Sequence, residues 1–506
     1  MALATVKESA AETSTKAERK FHAVLRVASV LALVALVACA AVAFRSANDF
    51  SPAESVIAAQ SSMLAHDGTL YYDLHRYPYT VCAYMPIFYF LEAGLVRIHV
   101  APFLGGRIMS LAAWGGLVWL TWSLVLLYTS NRNAAWLSAI LTASSSLLLF
   151  WGTIAQTDTL AVFFAVAAFF QFSKFQVRGD AALISAGVLA GLALFTKQTM
   201  LSAPAAILIA LWLRDKKRAV WFAVAFGAAV GAAVLAMNSA LDGHFLADTV
   251  RANMNPLNAK KLVDQLRFFG AVSGCMALVT VMSFGRIVRT RGIAVCIYVV
   301  LAATVFLLTA PKIGSDTNYQ IELTVMLAVA CGIGLHELHF FPLLFQGSKK
   351  WVTLLLLPVA VHAAVGYRAT VNTVIFRWAT ENGSRRTIEQ LRPYIAPTGG
   401  LVLCSDYNAM ARLRGRFDVE TYVYSMLAAA KVVDPEPVRR DLARGAFSVV
   451  ILGENVFDLK DSQDPEMVTL PESLFAEIRA HYHLVKHADS PFLDGDYVYL
   501  PKGSAP

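Results

Sequence analysis

Between Val24 and Gly366 the chain runs through about eleven apolar stretches, most of them close to the ~20 residues that cross a bilayer. That repetition fixes the solvent before anything else, because a chain with so many apolar runs has too little polar surface to face water on every side. Charged residues are 15% of the 506 and hydrophobic residues 57%, whereas a soluble globular chain carries about 25% charged residues. A cytosolic enzyme, a secreted disulfide scaffold and a nucleic-acid binder are excluded. The fold expected is an α-helical polytopic membrane protein of about 11 transmembrane helices.

The net charge of +8 would suggest nucleic acid in a soluble protein, but here the basic residues sit mostly in short loops between spans. That is the positive-inside pattern. Lys7, Lys16, Arg19 and Lys20 place the tail, residues 1–22, in the cytoplasm. Alternate loops are then basic: Arg132, next Lys174 and Arg178, next Arg214 through Arg218, next Arg286, Arg289 and Arg291, and last Lys349 and Lys350. This parity requires Pro86–Val100, which is short and carries Glu92, Arg97 and His99, to be a juxtamembrane or re-entrant helix on the outer face. Val24–Phe44 is longer than a signal-peptide core and has no convincing cleavage site, so it reads as a retained first span. The cysteines have no metal-binding spacing, and His336, Glu337 and His339 read as polarity at the cytoplasmic end of a span. No metal is expected.

Residues 23–376 are therefore read as the transmembrane part, with a first outer loop at 45–106, and 377–506 as a soluble domain outside the cytoplasm. In that last segment, helix-like stretches (Ser384–Tyr394, Pro435–Arg444) alternate with strand-like runs at Leu401–Cys404, Ser448–Leu452, Tyr482–Val485 and Tyr497–Leu500. The alternation predicts a small α/β domain. It has no phosphate-binding glycine motif, so no nucleotide cofactor is expected.

Polar groups are costly near a membrane, and here they gather on the outer side. The first outer loop carries Asp49, Glu54, Tyr72, Asp73 and Tyr84, and the second Gln156 and Asp158. Later loops carry Lys197 with Gln198, Arg251 with Lys260 and Lys261, and Lys312 through Tyr319. In order, the chain presents Glu54, Gly68 with Tyr71-Tyr72-Asp73, Tyr84-Met85-Pro86, Gly105-Gly106-Arg107, Gln156-Thr157-Asp158, Phe195-Thr196-Lys197-Gln198-Thr199 and Asn318-Tyr319. This series, spread over about Val24 to His339, resembles the GT-C superfamily of membrane glycosyltransferases. The closest likeness is to the branch with protein O-mannosyltransferases and bacterial lipid A aminoarabinose transferases. One departure stands out: the family often has Asp-Glu in the first outer loop where this chain reads Ala53-Glu54.

The resemblance implies transfer of a sugar from a polyprenyl-phosphate donor to a glycan, lipid or protein acceptor outside the cytoplasm, usually with inversion. It points to a multi-pass protein of a bacterial inner or plasma membrane. Such chemistry needs a carboxylate base for the acceptor hydroxyl and cations for the departing phosphate. On the resemblance, Glu54 is the expected base, with Asp49 as the alternative, and Asp158 is a second acidic group. Lys197, Gln198, Arg107, Asn318 and Tyr319, with Arg251 in support, are expected at the donor phosphate, and Tyr72, Asp73 and Tyr84 at the sugar. Plainer readings stand beside these: Lys197 snorkelling to the interface, Asn318 capping a helix, and the tyrosines forming an interfacial belt. The rival function is a transporter or lipid flippase, which would call for charges at midplane in two related halves.

Overall fold

The computed structural model describes residues 2–175, 179–341, 349–397, 399–458, 470–490 and 495–503. Arg178 of the second basic loop lies outside them. The chain opens with helix α1 (Ala2–Arg45) and a helix that stays outside the bundle, α2 (Pro52–Asp67). Ser51 is extended and Pro52 takes the first helical turn, where a missing N–H costs nothing. Gly68, at φ +75°, closes α2 by donating its N–H to the Leu64 carbonyl.

After a loop come α3 (Ile87–Arg97) and α4 (Pro102–Thr129). The expected short helix on the face of the membrane corresponds to α3, whose 11 residues are too few to cross a bilayer. The stretch Ala134–Thr153, expected as one span, is two helices, α5 (Arg132–Ala143) and α6 (Ser146–Trp151). The break falls at consecutive serines, and Ser144 Oγ donates to the Ile140 carbonyl at 2.7 Å, a local bond that competes with helix continuation.

The bundle continues with α7 (Thr157–Ser173), α8 (Asp180–Thr196), α9 (Ser202–Trp212), α10 (Lys216–Ala240), α11 (Ala259–Ile287), α12 (Ile293–Thr309) and α13 (Ile321–Glu337). Asn131, Asp215 and Asn258 each accept a backbone N–H at the start of their helices. Among the described residues, five helices are long and apolar enough to cross a membrane, and four apolar helices are shorter. With the apolar core they share, they make this a multi-pass membrane protein.

Helix α14 (Lys349–Ile395) has 47 residues, roughly 70 Å at ~1.5 Å per residue, more than twice the ~30 Å hydrocarbon core. It runs unbroken across 376/377 and through Ser384–Tyr394, so the last bundle helix is also the first helix of the C-terminal domain. That domain adds β1 (Leu401–Cys404), α15 (Tyr407–Leu413), α16 (Thr421–Ala429), α17 (Glu436–Ala443), β2 (Phe447–Leu452), α18 (Glu472–His481), β3 (Tyr482–Ala488) and β4 (Asp496–Pro501). All four strand-like runs of the sequence are strands. Their order is β1-β2-β4-β3, with β1 and β2 parallel and the other pairs antiparallel.

Two hydrophobic cores join the domain to the first loop. Leu74, Tyr79 and Val81 pack with Leu403, Val419 and Tyr424, and Ala58, Ala59 and Phe103 pack with Leu391, Met410 and Phe417. Backbone bonds continue the seam: Tyr79 N–H donates to the Asp418 carbonyl and Glu420 N–H to the Tyr79 carbonyl, each at 2.8 Å. The domain and the 46–86 loop therefore form one roof over the same end of the bundle.

Candidate active site

Glu54 lies in the first turn of α2 and is fully buried. Arg107, near the start of α4, meets it through two bonds, Nε to Oε1 at 2.8 Å and Nη2 to Oε2 at 3.0 Å. Ala155 N–H donates to Oε1 at 2.7 Å and Phe50 N–H to Oε2 at 3.1 Å. Burial alone would raise the Glu54 carboxyl, but the Arg107 charge and these bonds outweigh it and hold the carboxyl below its ordinary range. A carboxylate so fully engaged is a weak proton acceptor. The guanidinium has no valence to spare either, since it also donates to the carbonyls of Ala43, Ser46 and Asn48.

Arg107 also belongs to a stack of alternating cations and rings. Arg377 sits 3.9 Å from the centre of the Phe50 ring, and Arg107 lies 5.0 Å from Phe50 and 5.4 Å from Phe103. Arg412 of the C-terminal domain covers the Phe103 ring at 4.2 Å. Arg377 is fully buried, and its only hydrogen bond among the described residues goes to Thr153 Oγ1 at 2.8 Å. The ring faces of Phe50 and, at 5.5 Å, Phe150 lie against its charge.

A second buried pair joins Lys197, just after α8, to Asp158 in the first turn of α7. The Lys197 ammonium lies 4.0 Å from the centre of the Tyr319 ring and 5.6 Å from that of Tyr84. Asp158 Oδ2 is buried and makes no hydrogen bond among the described residues.

Above these pairs, between the end of the bundle and the C-terminal domain, lies a cavity of about 930 Å³. Its walls hold Tyr84, Gln156, Asn318 and Tyr319 from the sequence reading, together with Lys260, Lys261 and Lys312. Asp264 and Asp316 border it from the bundle side and Glu420 from the domain. Lys312 donates from Nζ to Asn253 Oδ1, and burial followed by the nearby Lys197 charge pushes its pKa down to about 8. A cation short of counter-charge in a half-buried wall favours an anionic ligand.

The structure thus brings Tyr84, Asn318 and Tyr319 to the cavity, with Lys197 and Asp158 packed beneath the two tyrosines. Glu54 and Arg107, expected at base and phosphate, are bound to each other and do not border it. Gln198 donates to the carbonyls of Ala83 at 2.8 Å and Thr249 at 3.3 Å, as a brace between loops. Tyr72 donates to the Thr69 carbonyl, and Asp73 accepts from His75 N–H, both within a turn away from the cavity. Arg251 is exposed and also stands apart from it. Asp49 accepts from Ser55 Oγ at 2.7 Å and borders a smaller cavity of about 140 Å³ with Asp406 and Asp496. Sequence reading assigned no role to Lys312 or Glu420. Lys312 stood in a loop already singled out, but Glu420 meets Thr80 across 340 residues, and no local pattern announces that. No group of His, Cys, Asp and Glu able to hold a metal occurs among the described residues.

A family model for dolichyl-phosphate-mannose-protein mannosyltransferases matches residues 83–241. The chain is similar in structure to ArnT from Cupriavidus metallidurans bound to undecaprenyl phosphate, at 13% identity and TM-score 0.64, over 94% of this chain and 99% of that one. The chain has the GT-C fold. A second GT-C structure, the oligosaccharyltransferase AglB from Archaeoglobus fulgidus in complex with an inhibitory peptide and a dolichol-phosphate, is similar at 13% identity and TM-score 0.53. That match covers 84% of this chain and 69% of the other. No curated protein matches the sequence. Within the GT-C fold of this chain, the matched segment 83–241 carries Arg107, Asp158 and Lys197, while Lys260, Lys261, Lys312 and Glu420 lie beyond it.

Proposed function

We propose that the protein is a glycosyltransferase that moves a sugar from a polyprenyl-phosphate donor to a glycan, lipid or protein acceptor on the non-cytoplasmic face, with inversion at the anomeric carbon. The observation that carries the reading is the cavity of about 930 Å³ at the membrane end of a GT-C fold, with lysines on one wall and a carboxylate from the C-terminal domain on another. Its similarity in fold to proteins solved with undecaprenyl phosphate and dolichol-phosphate supports a lipid-phosphate donor. The basic loops at the opposite ends of the spans support a cytoplasmic N-terminus and an extracytoplasmic C-terminal domain.

In this reading Lys312, with Lys260 and Lys261, faces the donor phosphate. These cations stabilise the charge that grows on the phosphate oxygen as the bond to the sugar breaks. Tyr84 and Tyr319 offer ring faces to the sugar, held in place by the Lys197–Asp158 pair below them. Asn318, whose buried Oδ1 makes no hydrogen bond among the described residues, is positioned to accept from a sugar hydroxyl.

The test is binding of undecaprenyl phosphate to the full-length chain in nanodiscs, followed by native mass spectrometry. Wild-type protein is expected to retain the lipid, and Lys312→Met to lose about tenfold in affinity, the worth of one charge-assisted bond. Absence of binding by the wild type overturns the donor reading. Unchanged affinity in Lys312→Met removes that lysine from the phosphate.

A further inference from the structure

Three carboxylates border the large cavity: Asp264, Asp316 and Glu420. They differ in what already holds them. Asp264 pairs with Arg267 at 3.2 Å, both groups largely in water. Asp316 is exposed and caps the Thr317 N–H. Glu420 is 3% exposed, and its Oε2 accepts from Thr80 Oγ1 at 3.0 Å and from Val81 N–H at 3.2 Å. Its Oε1 makes no hydrogen bond among the described residues, and the residue borders the cavity. One oxygen is anchored and the other is left without a hydrogen bond among the described residues.

The backbone around Glu420 is fixed as well. The residue precedes α16, its N–H donates to Tyr79 and its carbonyl accepts from Tyr424 N–H. Tyr407 OH accepts from Tyr422 N–H at 2.7 Å and lies 3.1 Å from Thr421 Oγ1, locking the next two cavity residues. Ala53 borders the cavity with only a methyl group, and the neighbouring Glu54 is committed to Arg107.

We propose that Glu420, carried by the C-terminal domain, is the general base that takes the proton from the acceptor hydroxyl. The inference rests on the transferase reading above. The acceptor O–H proton passes to Glu420 Oε1, and the oxygen electron pair forms the bond to the anomeric carbon. The bond from that carbon to the phosphate oxygen breaks, and its electron pair leaves on the polyprenyl phosphate. Glu420 then returns the proton to water. Burial, partly offset by the Val81 and Thr80 bonds, brings the Glu420 carboxyl up to about 7, close to the pH at which a base both accepts and releases a proton readily. The titratable groups facing it are Asp248 and Tyr407, whose own carboxyl and phenol are raised in part by its charge.

The experiment uses the full-length protein in nanodiscs, the lipid-linked sugar pool and acceptor membranes of the source organism, and two readouts: undecaprenyl phosphate binding and release of polyprenyl phosphate by turnover. Glu420→Gln, which keeps an oxygen for Thr80 and Val81, is expected to bind undecaprenyl phosphate within about twofold of wild type and to lose about 10²–10⁴ in turnover. Glu420→Ala is expected to regain turnover with added formate, which a merely structural role would not permit. The kcat of the wild type is expected to rise with pH through the value given above, and Glu420→Asp to displace that limb. Wild-type turnover in Glu420→Gln, or loss of lipid binding in that variant without formate rescue of Glu420→Ala, overturns the assignment. Failure of the wild type to bind undecaprenyl phosphate overturns the underlying reading instead.

Discussion

The Glu54–Arg107 pair is stable in a buried setting because nearly every donor and acceptor is spent: two bonds between the partners, two backbone N–H groups on the carboxylate, and three carbonyls on the guanidinium. A buried pair with that degree of satisfaction avoids the usual desolvation deficit, and removing one partner leaves the other charged and uncompensated. Glu54→Gln is therefore expected to lower folding stability by about 3–5 kcal/mol, seen as a drop in Tm in detergent whether or not substrate is present. A drop in turnover with Tm unchanged would return Glu54 to a direct part in the chemistry. Sequence reading found these two residues and assigned them separate roles, because a bond between positions 53 residues apart leaves no local trace. Tyr84, Asn318 and Tyr319 were legible for a physical reason: aromatic and amide residues at the mouths of spans have few uses apart from an interfacial belt or a site.

At the scale of elements, close approach matters more than length. A Cβ on Gly106 of α4 would fall on Ala155 and on Glu92 Oε1, and Ala155 is the residue whose N–H reaches Glu54. Gly106→Ala is expected to push that segment off the pair and lower Tm, while Gly115→Ala in the same helix, with open space around it, holds or slightly raises Tm through the better helix propensity of Ala. A rise at both positions would mean that helix propensity, not the approach, decides the outcome. Strands β1 and β2 were readable as short apolar runs, since burial on both faces removes polar alternation, whereas β3 and β4 are only partly buried. Helix α14 was not read as one piece. Its composition changes from apolar to polar along its length because its surroundings change, while the helix itself runs on unbroken.

Across the whole molecule, the roof over the bundle carries carboxyls that fold into a protonated preference. Asp49 is raised to about 7, Asp248 to about 8, Glu420 to about 7 and Asp496 to about 8, in each case chiefly by burial. The folded state then holds more protons than the unfolded chain between the ordinary carboxylate values near 4 and about 8, so stability falls as pH rises through that window. Glu54, held low, acts in the opposite sense only below its ordinary range. Thermal unfolding in detergent is expected to give a higher Tm at pH 5 than at pH 8; a flat or rising profile would mean that these carboxyls are ionised in the native state. None of this was legible from composition, because these burials come from long-range contacts: Thr80 reaches Glu420 across 340 residues and Cys82 N–H reaches Asp248 across 166.

The stack of Arg377, Phe50, Arg107, Phe103 and Arg412 works like a pinned hinge plate. It threads through α14, the loop before α2, the start of α4 and the domain helix α15, so turning the domain away from the bundle would require five interleaved planes to part together. The strands of chain at 253–261 and 312–319 that wall the cavity have no plane in that stack. The stack thus fastens the domain to the bundle along one edge and leaves those two segments outside its grip.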